Sequence, residues 1–147
     1  MSTARPGTGC GRSAMSPASH RSPTSPPTTA SHGWWFADPE IAAVGFTAEQ
    51  ARQRGIVTAA TEISLADSIA RPYTYERDPR GALGLLADTD RQVLAGAWAV
   101  APLASEWIHQ AALAIRARIP LDVLADQVAQ FPTYTEAYLT AVEQLAR

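Results

Sequence analysis

The clearest pattern along the chain is helical. Ala104, Trp107, Ile108, Ala111, Ala112 and Ile115 recur at i, i+3, i+4, i+7, i+8 and i+11, the spacing that lines one face of a helix. Pro120 marks its end. A second stripe, Ala137, Tyr138, Ala141, Val142 and Leu145, predicts a helix over about 134–146, with Thr133 or Thr135 as its N-cap. Between the two, a short helix is expected over about 122–129, capped by Asp122. Upstream, Thr47-Ala48-Glu49-Gln50 has the form of a capping box, with Thr47 at the N-cap and Gln50 at N3. That helix runs to about Arg54, and Gly55 suits the position beyond its end.

The remaining apolar runs read as strands. Trp34-Trp35-Phe36 is expected to be a short buried strand, closed by Asp38-Pro39. Ile56 to Leu65 is β-branched enough for another. Pro72 and Pro79 bracket an irregular stretch. Leu83–Ala87 and Val93–Val100 predict a hairpin, for which Asp88-Thr89-Asp90-Arg91 supplies turn residues. Strand, helix, strand, hairpin and three helices make an α+β domain, an antiparallel β-sheet flanked by helices on one side.

Composition divides the chain near residue 33. Residues 1–33 hold 21 Ser, Thr, Pro or Gly, three Arg and no acidic residue. Such a segment buries too little apolar surface to offset its conformational entropy. It is expected to be a disordered N-terminal tail, with the folded domain over 34–147. Pro17, Pro23, Pro26 and Pro27 are incompatible with the amphipathic helix of a transit peptide. All 12 basic residues are Arg, which together with abundant Ala suggests a GC-rich coding sequence.

The totals exclude several kinds of chemistry. A formal net charge of −2 gives no bulk attraction to nucleic acid or anionic membrane. No apolar run approaches the roughly 18–20 residues of a membrane span. A cytoplasmic protein is expected. Cys10 is the only cysteine and lies in the tail, so neither a disulfide nor a CxxC redox pair can form within one chain. The histidines are His20, His32 and His109. The first two lie in the tail and His109 lies off the apolar stripe, so no metal site is expected. Gly7-Thr8-Gly9-Cys10-Gly11 follows no strand and opens no helix, so it is not a nucleotide-binding loop.

Four segments carry a resemblance. Asp38-Pro39-Glu40-Ile41-Ala42-Ala43-Val44-Gly45-Phe46-Thr47, Val93-Leu94-Ala95-Gly96-Ala97, Ala104-Ser105-Glu106-Trp107-Ile108 and Phe131-Pro132-Thr133-Tyr134-Thr135-Glu136 follow one another in that order. Together they resemble the C-terminal dimerisation domain of the flavin-dependent pyridine nucleotide-disulfide oxidoreductases. The last segment is similar to that family's His-Pro-Thr-x-Ser-Glu signature, in which the His is the acid–base and the Glu orients it. Here the His position is Phe131, which cannot carry a proton, and Glu136 has no imidazole to hold. The family usually has a Lys in the strand before the hairpin turn, where this chain has Gly84.

The resemblance implies a dimerisation domain, with a homodimer or a flavin reductase subunit as partner. FAD and NAD(P) are implied only for the full-length family enzyme, and no catalytic, cofactor-binding or metal residue is assigned here. Interface candidates are Trp107, Ile108, Ala111, Ile115, Pro132, Thr133, Tyr134, Glu136 and Tyr138. The alternative is a stand-alone binding module that docks on a separately encoded reductase. Cys10 to Trp35 can also be back-translated so that the frame one base earlier encodes a Gly-Asp-containing, family-like peptide. Residues 1 to about 35 are therefore expected to arise from a frameshift in a longer gene.

Overall fold

The structure, a computed structural model, describes residues 33–147 apart from Phe36, Tyr75 and the side chains of Trp34 and Trp35. The expected disorder of the tail, Cys10, Phe36 and the frameshift reading lie outside the described residues. Gly33, assigned above to the tail, already belongs to a strand.

The elements are β1 (Gly33–Trp35), β2 (Glu40–Gly45), α1 (Ala48–Gln53), β3 (Thr58–Ser64), α2 (Leu65–Ser68), a 3-10 turn (Arg71–Thr74), β4 (Ala82–Asp88), β5 (Val93–Ala101), α3 (Ala104–Trp107), α4 (His109–Ala117), α5 (Leu121–Ala125) and α6 (Thr135–Leu145). They form an α+β fold around a five-stranded antiparallel sheet of order β1-β2-β5-β4-β3. The unexpected strand is β2, which lies between β1 and β5. Its Ala42 and Val44 are buried while Ile41 faces out. Two of its six residues are Ala, so the alternation that marks a strand is weak in the letters.

The core lies between one sheet face and the later helices. Val44, Ile63, Leu83, Leu85, Leu94, Ala97 and Ala99 meet Ile108, Ala111, Leu121, Ala137, Tyr138 and Val142 there. Each fully buried Leu contributes roughly 1.5–3 kcal/mol relative to exposure. A β-bulge makes this face continuous. Leu86 pairs Gly96 while Ala87 pairs Leu94, leaving Ala95 as the extra residue. The bulge resets the alternation of β5, so that Leu94 and Ala97 share the core face. On the opposite face, Ala51 of α1 packs on Leu86 and Ala95 with Phe46 and Ile56.

Local chemistry explains most of the ends. Thr47 and Gln50 form the expected reciprocal capping box. Arg54 caps α1, and Gly55 follows at φ +69°. In the hairpin turn, buried Asp88 accepts from the Asp90 and Arg91 amides and pairs with the Arg91 guanidinium at 2.7 Å.

Three expectations are corrected. The first helix of the final group is divided at Ile108 into α3 and α4, although Ala112 N–H still donates to the Ile108 carbonyl. The short helix is capped by Pro120, not Asp122, and ends at Ala125; the Asp122 carboxylate instead accepts from the Val123 amide. Helix α6 begins after Tyr134 with no side-chain cap, because the Thr133 hydroxyl donates to the Gln130 carbonyl.

Candidate functional site

The segment leading into α6 is held on both sides. The Thr133 amide donates to Glu136 Oε2 at 2.9 Å, and the Thr133 and Thr135 hydroxyls are 2.8 Å apart. Glu136 is therefore a first-turn carboxylate that closes the turn before its own helix. Tyr134 stacks on Trp107, with ring centroids 5.7 Å apart and planes 9° apart. The Trp107 indole N–H donates to the Pro102 carbonyl at 3.3 Å. This stack pins the segment against the start of α3. Next to it, Phe131 is 75% exposed. An aromatic hydrocarbon is thus presented where the family signature has an imidazole.

A second anchor comes from β2. Glu40 Oε2 accepts from the Ser105 amide at 2.9 Å and from the Ser105 hydroxyl at 2.7 Å. Helix α3 starts from Leu103, which has φ +57° and provides no capping side chain. A carboxylate 65 residues away therefore does the capping. The Ser105 hydroxyl and amide hold the Glu40 carboxyl below its usual pKa. This gives the Pro-Glu opening of the first motif a physical role.

The structure sorts the interface candidates by burial. Ile108, Ala111, Tyr134 and Tyr138 lie in the chain's own core, and Trp107 and Ile115 pack partly buried against it. An apolar stripe at helical spacing marks the side facing the sheet, so those residues are covered by this chain itself. Pro132, Thr133 and Glu136 remain half-buried at the surface. The side chains that point outward are others: Leu113, Val123, Val128 and Phe131. The first three have no place in the stripes, and an apolar residue off a stripe was the available signal. His109 is exposed, and its Nδ1 lies 3.2 Å from the Glu106 carbonyl oxygen.

The sheet face away from the later helices carries a groove of about 290 Å³ whose lining includes Ala43, Phe46, Ala60, Glu62, Leu86 and Trp98. Ala43, Trp98, Gly84 and Glu62 pair in one row across the strands. The Trp98 indole lies over Gly84, where a Cβ would come within 2.2 Å of Trp98 Nε1. Among the described residues, Glu62 is the only charged one lining the groove. The Arg54 guanidinium lies over the Phe46 ring, 4.6 Å from its centroid, but the described residues contain no glycine-rich strand-to-helix loop to cradle a dinucleotide's diphosphate. They do not fit a flavin or nicotinamide site by themselves. Among the described residues no group of three or more His, Cys, Asp or Glu could hold a metal ion, and no helix is long and apolar enough to cross a membrane.

The pyridine nucleotide-disulphide oxidoreductase dimerisation domain matches residues 32–142. A mercuric reductase of Shigella flexneri is 41% identical over 110 residues, which cover 75% of this chain and 18% of that protein. A dihydrolipoyl dehydrogenase of Haloferax volcanii is 32% identical over 108 residues, covering 74% of this chain and 22% of that one. Among solved structures, LpdA from Mycobacterium tuberculosis superposes with a TM-score of 0.71 at 27% identity, over 78% of this chain and 25% of its own. The HOCl-induced flavoprotein disulfide reductase RclA from Escherichia coli also gives 0.71, at 26% identity and over 78% and 26% of the two chains. The chain thus spans about a fifth of the length of these curated relatives.

Proposed function

The chain belongs to the pyridine nucleotide-disulphide oxidoreductase dimerisation-domain family, and on that footing we propose that it is a subunit-association module rather than a catalyst in its own right. The observation that carries the reading is Phe131. At the position of the family's acid–base it is exposed, and it has no proton to give or take. Glu136, which would orient that group, is bonded to the Thr133 amide.

The module acts as a cytoplasmic homodimer. Its intact counterpart is an FAD-dependent, NAD(P)H-linked oxidoreductase whose flavin and nucleotide are held by chain outside this domain. Pro132, Thr133 and Glu136 form the part of the α6 approach that a partner can touch, with Trp107 and Tyr134 stiffening it from behind. Mercuric reductases match at 36–41% identity and dihydrolipoyl dehydrogenases at 32–33%. That order, together with Phe131, supports an acceptor whose reduction needs no imidazole acid, a soft metal ion before a dithiol.

Two measurements on the purified 147-residue chain test this. Sedimentation equilibrium is expected to give a dimer, and absorption spectra are expected to lack flavin bands. A monomer at high micromolar concentration would sink the association reading in favour of docking on a separately encoded reductase. A tightly bound flavin, or NAD(P)H oxidation by the chain alone, would sink the non-catalytic one.

A further inference from the structure

Subunit association gives no role to the groove on the open face of the sheet. Its volume of about 290 Å³ is at the small end for a small-molecule site. Pairing across the strands runs from Ala43 to Trp98, from Trp98 to Gly84 and from Gly84 to Glu62. Residues directly opposite one another share a face of the sheet, and Ala43, Trp98 and Glu62 all line the groove. Neighbouring strands lie about 4.8 Å apart, so the Trp98 and Glu62 backbones are roughly 10 Å from each other. The indole spans part of that gap. Its Nε1, Cε2 and Cζ2 lie over Gly84, which has no side chain to hold them off.

Both side chains are open to solvent: Trp98 is 37% exposed, and Glu62 is exposed. Glu62 takes no part in the ion pairs found among the described residues, Arg52–Glu49 and Arg91–Asp88. The walls beside them, including Ala43, Ala60 and Leu86, are apolar. An anion would meet the Glu62 carboxylate. A bare metal ion needs several oxygen ligands, and one carboxylate among apolar walls does not supply them. A neutral apolar molecule would cover the carboxylate and give it no partner. An organic cation with an apolar shell suits every wall at once, since an indole face attracts positive charge and does so better than the other aromatic rings. The groove already shows this chemistry at Phe46, whose ring carries the Arg54 guanidinium. Among the described residues no cation lies over Trp98.

We propose that the groove binds a small organic cation, a methylated or aryl-bearing ammonium. Its charge sits between the Trp98 indole and the Glu62 carboxylate, and its apolar substituents lie against Ala43, Ala60 and Leu86. Arg54 occupies the Phe46 ring, so Trp98 sets the position of the ligand. The site is independent of the subunit-association reading and needs no flavin.

The probe is benzyltrimethylammonium, titrated at constant ionic strength into the isotope-labelled full chain while the Trp98 indole N–H resonance is followed. The expected Kd is on the order of 1–10 mM, the scale for about eleven non-hydrogen atoms in an open groove. Glu62→Gln should weaken binding about three- to fivefold. Trp98→Leu, followed at the Ala43 and Ala60 amides, should weaken it about fivefold or more. Benzyl alcohol, which keeps the ring and lacks the charge, should bind several-fold more weakly than the ammonium. An unmoved Trp98 resonance at about 50 mM probe, or shifts confined to other surfaces, overturns the proposal. So does equal affinity in the Glu62→Gln variant, or benzyl alcohol binding as tightly as the ammonium. Glu62→Gln changes only an exposed side chain and decides the matter if Trp98→Leu fails to fold.

Discussion

Replacing Tyr138 by Phe should stabilise the protein. Tyr138 is 1% exposed in the main core, and its hydroxyl has no hydrogen-bond partner among the described residues. A buried hydroxyl without a partner costs roughly 1–3 kcal/mol relative to its hydrated state. Tyr138→Phe removes that cost and leaves a gap of one oxygen, worth at most about 1 kcal/mol in lost packing. The net expectation is a gain of about 1 kcal/mol. For a folded unit of about 115 residues the unfolding entropy is about 0.24 kcal/mol/K, so the melting temperature should rise about 4 °C.

Urea unfolding at pH 7, followed by tryptophan fluorescence and paired with calorimetry, measures this. The pH dependence adds a second arm. Burial raises the Tyr138 phenol pKa in the folded state. Its stability contribution is therefore complete below the unfolded value of about 10 and is lost as pH climbs through the folded value. The Phe variant should lack this part of the alkaline decline. A loss of more than about 0.5 kcal/mol at pH 7 would refute the reasoning, because the hydroxyl must then have a partner such as a buried water.

Three further outcomes are expected. Gly96→Ala should destabilise by more than about 3 kcal/mol in denaturant titrations, since its Cβ would lie 2.0 Å from the Phe46 carbonyl oxygen, a backbone atom that cannot swing away. Glu40→Gln should narrow its deficit against wild type as pH falls below about 4.3; the native Glu40 pKa is lowered, so its contribution is present above the unfolded value and vanishes on protonation, and parallel acid-unfolding curves would contradict this. Thr47→Ala should cost about 1 kcal/mol by breaking the capping box, measured in urea, with a loss under about 0.3 kcal/mol counting against it.

What could be read in the letters was local. The capping box of α1, the hairpin with its Asp88 turn and the core face of α6 depend on residues a few positions apart, and each appeared as expected. What escaped depends on distant partners. Strand β2 is a strand because β1 and β5 flank it, and its alanines show little alternation to the eye. The cap of α3 comes from Glu40, 65 residues back, and no window of sequence contains both. The site was half legible. The Phe131–Glu136 motif lies on a surface segment before α6, whereas Ile108 and Ala111 of the stripe offered as interface are buried in the core. The outward residues, Leu113 and Val128, carry no motif and become visible only once burial is known.

Trp98 and Gly84 bear on how this domain can change over generations. The indole occupies the space that any side chain at position 84 would need, down to its first carbon. A lineage carrying this pair cannot regain the Lys usual in the family by a single substitution without displacing the tryptophan. Either the Trp98 side chain, 37% exposed, swings out or position 98 changes as well. The cost of a side chain at position 84 therefore depends on what stands at position 98, and substitutions at the two sites are not additive.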